Sequence, residues 1–428
     1  MFPNAKKMAA GLRRQIKTLN RIDPNVMTFI IYGLLYDTVL NIYKPFALTF
    51  LQRLGGDEFY ISLYNSLPGL VAIFALIPGS VFVARFVRKK RVTAAFLVAA
   101  RSFLPALALV PLMPDRLRPL IFVVMIGLMN FPDSISQCAL QAFLGENFEG
   151  LARARAISLR TKFGQTVILA VTLITGLIIR FAPKTPEQTI IYYQVFFAAA
   201  FVIGIFEVVI FSRFKEKKRE DSAGAAHKPT LRETFAVFKD KKFARFLVMT
   251  IAFYFSWHLA WAAVGALQVI RLGADEIWLA VYALVSGAAA YFGASFWGKK
   301  IIKHGNDKIL IVSVFGVALN SIAYMLALNL WSVIFINILG GFVSSGIGIT
   351  LLNGLLEATP DKNRVIYIAA YNTLVNLSLS VSPFISLWLL TKVSYTLTFL
   401  VIGVVRVAVG SAILVNYLRA GRRIERKI

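Results

Sequence analysis

Six ionisable side chains stand inside otherwise apolar stretches of this chain: Asp37, Lys44, Arg101, Asp133, Glu207 and Arg406. A charge within a hydrocarbon layer costs about 2.5–3.5 kcal/mol on insertion scales, so each is a functional candidate by default. The chemistry open to them is charge pairing and proton exchange. A carboxylate far from water must be paired, hydrated or protonated, which makes Asp37 and Asp133 candidates to carry a proton. Lys44, Arg101 and Arg406 are then counter-ions for those acids or anchors for an anionic solute. Arg101 is the expected counter-ion, since it lies in the same half as both acids, whereas Arg406 has no acid within an apolar stretch of its own half. Counting about 1.5 Å per helical residue from the basic ends puts Asp37 and Arg406 near 18 Å, Asp133 near 20 Å and Arg101 near 14 Å. All four fall near the middle of a layer about 30 Å thick. Glu207, about 8 Å from its helix end, is expected to reach the interface. Asp37 and Lys44 share a face with Asn41 between them, but about 10 Å apart they are no adjacent-turn pair.

Two further polar faces accompany these charges. One carries Asn130, Asp133, Ser134, Gln137 and Gln141; another carries Tyr254, Trp257, His258, Trp261 and Gln268. Asn372, Asn376 and the serines of GGFVSSGIG are read as groups that bond their helical neighbours, and the aromatics serve packing as well as any lining role. Other chemistries fall away. One cysteine, Cys138, and three scattered histidines make no metal cluster or disulfide framework. GASFWGKK at 293–300 has Lys300 where a phosphate-binding loop needs Ser or Thr for magnesium. No nucleophile, base and orienting residue can be grouped, so no enzyme activity, metal or cofactor is expected.

The elements that position these residues follow from composition. Of 428 residues 58% are apolar and 16% charged, too little polar surface for a compact soluble fold. Twelve apolar stretches approach the roughly 20 residues that cross a bilayer as helix: near 25–51, 59–84, 92–113, 119–145, 157–181, 189–212, 246–270, 277–298, 309–328, 331–357, 365–391 and 394–418. The expected organisation is a lead 1–24, a six-helix bundle 25–212, a central loop 213–245, a second six-helix bundle 246–418 and a basic tail 419–428. The lead has no h-region or cleavage site and reads as an interfacial helix through Met8, Leu12, Ile16 and Leu19. A short helix through Leu231, Phe235 and Phe238 is expected in the central loop.

Net charge is +26, and its placement decides its meaning. With span ends good to about four residues, so that Arg160, Lys162 and Arg180 count with the loops they border, the lead, the even-numbered connections and the tail hold 37 of the 47 Lys and Arg, the opposite loops 7 and the spans 3. That bias places both termini in the cytoplasm by the positive-inside rule, with a plasma membrane as the expected setting and anionic lipid as a neighbour. Basic strips between helices make no continuous face for nucleic acid.

The chain also repeats. RLGGDEFYISLYNSLPG at 53–69 aligns without gaps to RLGADEIWLAVYALVSG at 271–287, with seven of seventeen positions identical. Glu146 is followed by Arg153 as Glu357 is by Arg364, each pair at a basic helix end. Two homologous six-helix halves around one site is a transporter design, and one copy is expected to suffice.

With six plus six spans, a long central loop and GKKIIKHGNDK after span eight, the chain resembles the major facilitator superfamily over nearly its whole length. That segment is similar to the family loop signature G-x-x-x-D-R/K-x-G-x-R/K at Gly298, Lys303 and Gly305. It departs at the acidic position, which is Ala84 in the first half and Ile302 in the second, and Val87 replaces the second glycine in the first. The resemblance implies an all-α fold of two pseudo-symmetric six-helix bundles, with spans one, four, seven and ten lining a central cavity. It further implies a cytoplasmic gate of Arg85, Glu146, Arg153, Gly298, Lys303, Gly305, Glu357 and Arg364. The expected function is secondary transport of a small organic solute, anionic or amphipathic, by alternating access coupled to a proton or other ion. Multidrug export is a rival reading, although span four lacks the exporters' Arg and span five their Pro; a non-transporting sensor or assembly partner is another.

Overall fold

The computed structural model describes residues 25–84, 86, 89–147, 150–215, 237–360 and 364–425, and every regular element among them is helical. Twelve helices are long and apolar enough to cross a membrane. Spans 1 to 6 are Asn25–Arg53, Glu58–Leu76, Lys90–Leu112, Arg118–Gln137, Leu159–Phe181 and Pro186–Ser212. Spans 7 to 12 are Lys241–Arg271, Glu276–His304, Asn306–Met325, Leu330–Ala358, Ala370–Lys392 and Tyr395–Arg419. The expected interfacial segment of the lead and the central-loop residues Leu231 and Phe235 lie outside the described residues, while Phe238 falls in a 3-10 turn, Val237–Lys239. Span 8 runs past the expected end at 298 because GKKIIKH continues the helix to Gly305, whose φ of +85° stops it.

The two halves pair their helices alike. Span 1 packs on spans 5 and 6 as span 7 does on 11 and 12, and span 3 meets span 6 as span 9 meets 12. Compaction follows a different line from duplication. Of the described residues, 25–45, 78–112 and 128–215 form one compact unit; 46–77 and 113–127 belong to a second unit with the whole C-terminal half. In the first unit Val26, Phe29, Ile30, Tyr32, Leu97 and Phe211 form a buried cluster.

The repeated R-L-G-x-D-E motif makes the same turn twice. Gly55 and Gly273 adopt φ of 89° and 65°, a left-handed conformation that a side chain would strain. Asp57 Oδ1 accepts from the N–H groups of Phe59 and Tyr60 at 3.0 and 3.2 Å, and Asp275 Oδ1 from that of Trp278 at 3.3 Å. Each aspartate thereby caps the next span, and Glu58 and Glu276 stand in its first turn, where the helix dipole favours an acid.

Prolines stand beside charges in three spans and break two of them. Pro45 lacks an N–H and crowds the carbonyl of Asn41, so span 1 divides into Asn25–Tyr43, a 3-10 turn Lys44–Phe46 and Ala47–Arg53. Pro105 withholds the N–H that the Arg101 carbonyl would accept, and span 3 divides at Ser102 into Lys89–Arg101 and Phe103–Leu109. Pro132 stands inside the span 4 helix immediately before Asp133. Irregular backbone at membrane depth is tolerated only where protein or a water-filled cavity surrounds it.

Candidate functional site

In the first unit, spans 1, 3, 4 and 6 converge on Arg101. Its side chain is 1% exposed and grips Glu207 with both edges: Nε donates to Oε2 at 2.8 Å and Nη2 to Oε1 at 3.1 Å. Planar two-point pairing of this kind is the strongest geometry open to a guanidinium. Room for it comes from Gly204, one turn before Glu207, where a Cβ would lie 2.9 Å from Arg101 Cδ. The guanidinium carbon also stands 5.3 Å from the centre of the Tyr36 ring. On the remaining side, Nη1 is 3.6 Å from Asp133 Oδ1, an ion pair beyond hydrogen-bond length. That oxygen is buried and has no hydrogen-bond partner.

One cation therefore faces two carboxylates of unequal standing. Glu207 is fully buried and doubly bonded, whereas the Asp133 side chain is 21% exposed. Burying an ion costs several kcal/mol unless its partner is well placed, and Arg101 meets that condition for Glu207 alone. Glu207 is a fixed counter-ion, contrary to the expectation that it reaches the interface: its carboxylate turns sideways to span 3 instead of along its own helix. Asp133 is the acid with a loose partner and a partly exposed side chain.

Asp37 belongs to a separate pair. Arg160 Nη2 donates to its Oδ1 at 2.7 Å and to the Gly33 carbonyl at 3.4 Å, while Asp37 Oδ2 is buried without a partner. Arg101 is thus the counter-ion of Asp133 and Glu207 but not of Asp37. Charge placement counts Arg160 with the basic connection before span 5; it stands at the start of that span, Leu159–Phe181, and turns onto Asp37. Its signal in the sequence was small residues beside the charge: a Cβ on Gly33 or on Gly164 would collide with Arg160 or Asp37.

Lys44 is exposed at the break in span 1. A charged side chain within a span almost always faces the bundle interior or a water-filled cavity. Asn41 Nδ2 donates to the Asp37 backbone carbonyl at 2.8 Å, a bond within its own helix. Asn130 and Gln137 are half-buried on span 4, and Gln137 Nε2 is buried without a partner.

The second unit absorbs most of the span 7 face into packing. Tyr371 donates to the Tyr254 hydroxyl at 3.3 Å, and His258 Nδ1 lies 2.7 Å from Ser378 Oγ on span 11. Trp257 lies under Arg406, whose guanidinium carbon is 5.6 Å from the ring. Trp261, 44% exposed, keeps an open face. Arg406 is buried and donates to the carbonyls of Ser256, Trp257 and Val317 and to Ser321 Oγ. Among the described residues it has no carboxylate in ion-pair reach, and it ties spans 7, 9 and 12 together.

At the rim, Lys303 and Glu357 are exposed, and the Glu357 carbonyl accepts from Lys242 Nζ. Gly298 lies within span 8 with open space beside it, and Gly305 ends that helix. Arg85 and the side chains of Glu146, Arg153 and Arg364 lie outside the described residues.

Comparison with known proteins agrees with this architecture. Among solved structures, the nucleoside transporter NupG superposes with a TM-score of 0.68 at 10% identity, covering 92% of this chain and 98% of that one. A POT family transporter in complex with a thioalcohol-conjugated peptide gives 0.68 at 11% identity, with 92% and 96% covered. Another POT family structure, with 5-aminolevulinic acid, gives 0.66 at 12% identity over 92% and 96%. No curated protein sequence matches. The family model for the Major Facilitator Superfamily matches residues 29–356 and 270–427, so this multi-pass, twelve-span chain of two six-helix bundles belongs to that superfamily of transporters.

Proposed function

We propose that the protein is a proton-coupled secondary transporter of a small organic solute bearing an anionic group, working by alternating access in a plasma membrane with both termini cytoplasmic. The observation that carries this reading is one buried guanidinium, that of Arg101, held between a fully buried, doubly bonded Glu207 and a loosely held, partly exposed Asp133. A proton on Asp133 leaves the Arg101–Glu207 pair intact, so the site can load and unload one proton without exposing a bare charge to hydrocarbon. Asp37 and Arg160 form a second pair in the same bundle and stand as the alternative proton carrier. Around these two pairs, three cations, Lys44, Arg101 and Arg160, stand against three acids, Asp37, Asp133 and Glu207. Protonation of Asp133 leaves one positive charge in excess, which favours an anionic partner near Lys44.

The solved relatives carry a nucleoside, a peptide conjugate and 5-aminolevulinic acid in their descriptions, which supports a polar organic solute. A thermal-shift screen of the purified protein against carboxylates, phosphates and neutral analogues finds the solute class, since a ligand bound to the folded state alone raises its stability. Proton movement during solute flux in proteoliposomes then tests coupling. Full proton coupling in a double Asp37→Asn, Asp133→Asn protein sinks the assignment.

Lys44→Ala should weaken the half-saturating concentration for an anionic solute about tenfold or more, because a hydrogen bond to a charged group contributes about 1.5–3 kcal/mol. A neutral analogue should be unaffected and Lys44→Arg should restore part of the loss. Equal weakening for both solutes would remove Lys44 from the anchoring role.

A further inference from the structure

The duplicated R-L-G-x-D-E motif does more than turn the chain. Arg53 ends span 1 and its Nε donates to Glu276 Oε1 at 2.8 Å while Nη2 donates to Oε2 at 3.1 Å, so the arginine of the first copy holds the glutamate of the second. The exchange is returned through a relay. Arg271, from the second copy, lies with its guanidinium carbon 5.2 Å from the centre of the Tyr395 ring, and the Tyr395 hydroxyl donates to Glu58 Oε1, of the first copy, at 3.0 Å. Around these pairs Gln52 Nε2 donates to the Val269 carbonyl at 3.3 Å, and a Cβ on Gly265 would stand 2.9 Å from Leu48 Cδ1. All of these residues fall in the second compact unit, which unites residues 46–77 of the first half with the C-terminal half.

We propose that the two motif copies form a latch at the outer end of the protein, each arginine engaging the glutamate of the other copy, one directly and one through Tyr395, and that the latch holds the outer end closed. The proposal takes its orientation and its alternating access from the reading of function above. Two features distinguish a latch from static packing. The bonds join spans 1 and 2 to spans 8 and 12, that is, one half to the other. The Arg53 side chain is 32% exposed and that of Glu276 2%, so the pair lies at an edge where water reaches one partner, whereas the Arg101–Glu207 pair is buried on both sides. The glycine turn and the aspartate cap hold each glutamate at the start of its helix in register for the partner arginine, which accounts for the five identical positions in each R-L-G-x-D-E copy. The latch closes one face of the cycle, and its release is a step that the solute must drive when it enters from outside.

The test is a distance measurement by double electron–electron resonance. Spin labels are placed at Arg116→Cys and Leu328→Cys, outer connections of the two halves, on a Cys138→Ser background in lipid nanodiscs without solute or proton gradient. The unaltered latch should give a single short distance population. Arg53→Glu or Glu276→Arg alone should raise the ratio of long to short distances by about fivefold or more, the top of the range for exposed ion pairs, because the Glu276 side of this one is buried. The double exchange Arg53→Glu, Glu276→Arg should return the ratio toward its starting value. Tyr395→Phe, which keeps the ring and removes the hydroxyl, should shift it in the same direction by less. Unchanged distances in the single reversals, or a double exchange as open as either single, overturn the proposal. Where a reversal does not fold, Arg53→Gln and Tyr395→Phe carry the same test, and unchanged distances in both overturn it. Because the labels read the outer end without transport, failure here leaves the Asp133 assignment standing, and loss of coupling in an Asp133 variant leaves the latch standing.

Discussion

Asp133→Asn should leave the protein folded and able to exchange solute while abolishing net proton movement. Asparagine has the shape of a protonated aspartate, so the variant is fixed in the loaded state. Little packing or bonding is lost, because Asp133 stands 3.6 Å from Arg101 and the facing oxygen has no hydrogen-bond partner. Arg101 keeps its two bonds to Glu207, so no buried charge is orphaned. In proteoliposomes loaded with a pH-sensitive dye, solute-driven proton flux should fall to that of protein-free vesicles. Solute counterflow, which needs no net proton movement, should persist. Retained proton flux with unchanged stoichiometry would show that Asp133 is not the carrier. Asp37→Asn separates the alternative, since Asp37 is held by Arg160 at 2.7 Å and is 5% exposed. On the present reading Asp37→Asn weakens the spans 1 and 5 contact and leaves coupling in place.

Arg101→Met should have the largest effect on stability of any single change in the bundle. It leaves Glu207, which is fully buried, without its only doubly bonded partner. Breaking a buried pair from one side costs about 3–5 kcal/mol, a large share of the roughly 5–15 kcal/mol that holds a protein folded. The variant should accumulate poorly and lose its monodisperse profile in detergent. Removing both charges is a different matter, since apolar replacement of a whole buried pair is often neutral or stabilising. Arg101→Met, Glu207→Leu should therefore recover folding, as read by thermal unfolding in detergent. Coupling should still fail in the recovered protein, because Asp133 has then lost its counter-ion. A single Arg101→Met protein as stable as the parent would mean that Glu207 finds water or another partner, and the division into a fixed acid and a titrating acid would fall.

The twelve spans, the duplicated motif and the charged midplane residues were legible in the sequence because each is a local property. Span length follows from the run of apolar residues, and the R-L-G-x-D-E turn from glycine and a capping aspartate. Glu207 was misread for a definite reason. Its distance from the end of span 6 describes escape along its own helix, but says nothing of the neighbour toward which the side chain turns. The route it takes is sideways, through the gap that Gly204 leaves, to an arginine on span 3. Arg160 was missed in the same way: a basic residue near a basic helix end reads as solvent-facing until spans 1 and 5 are seen to touch. Pro45 and Pro105 mark the helix breaks beside Lys44 and Arg101, and Pro132 stands next to Asp133 inside a continuous helix.

By itself, then, the sequence determined that this is a duplicated twelve-span membrane chain, that charges stand within its apolar spans, and where the sharp turns fall. Tertiary structure alone decided which acid belongs to which base. Pairing depends on rotation and depth between helices distant in sequence, and a shift of a few ångströms separates the 2.8 Å bond of Glu207 to Arg101 from the 3.6 Å approach of Asp133. That small difference distinguishes a carboxylate that holds the bundle together from one free to take a proton.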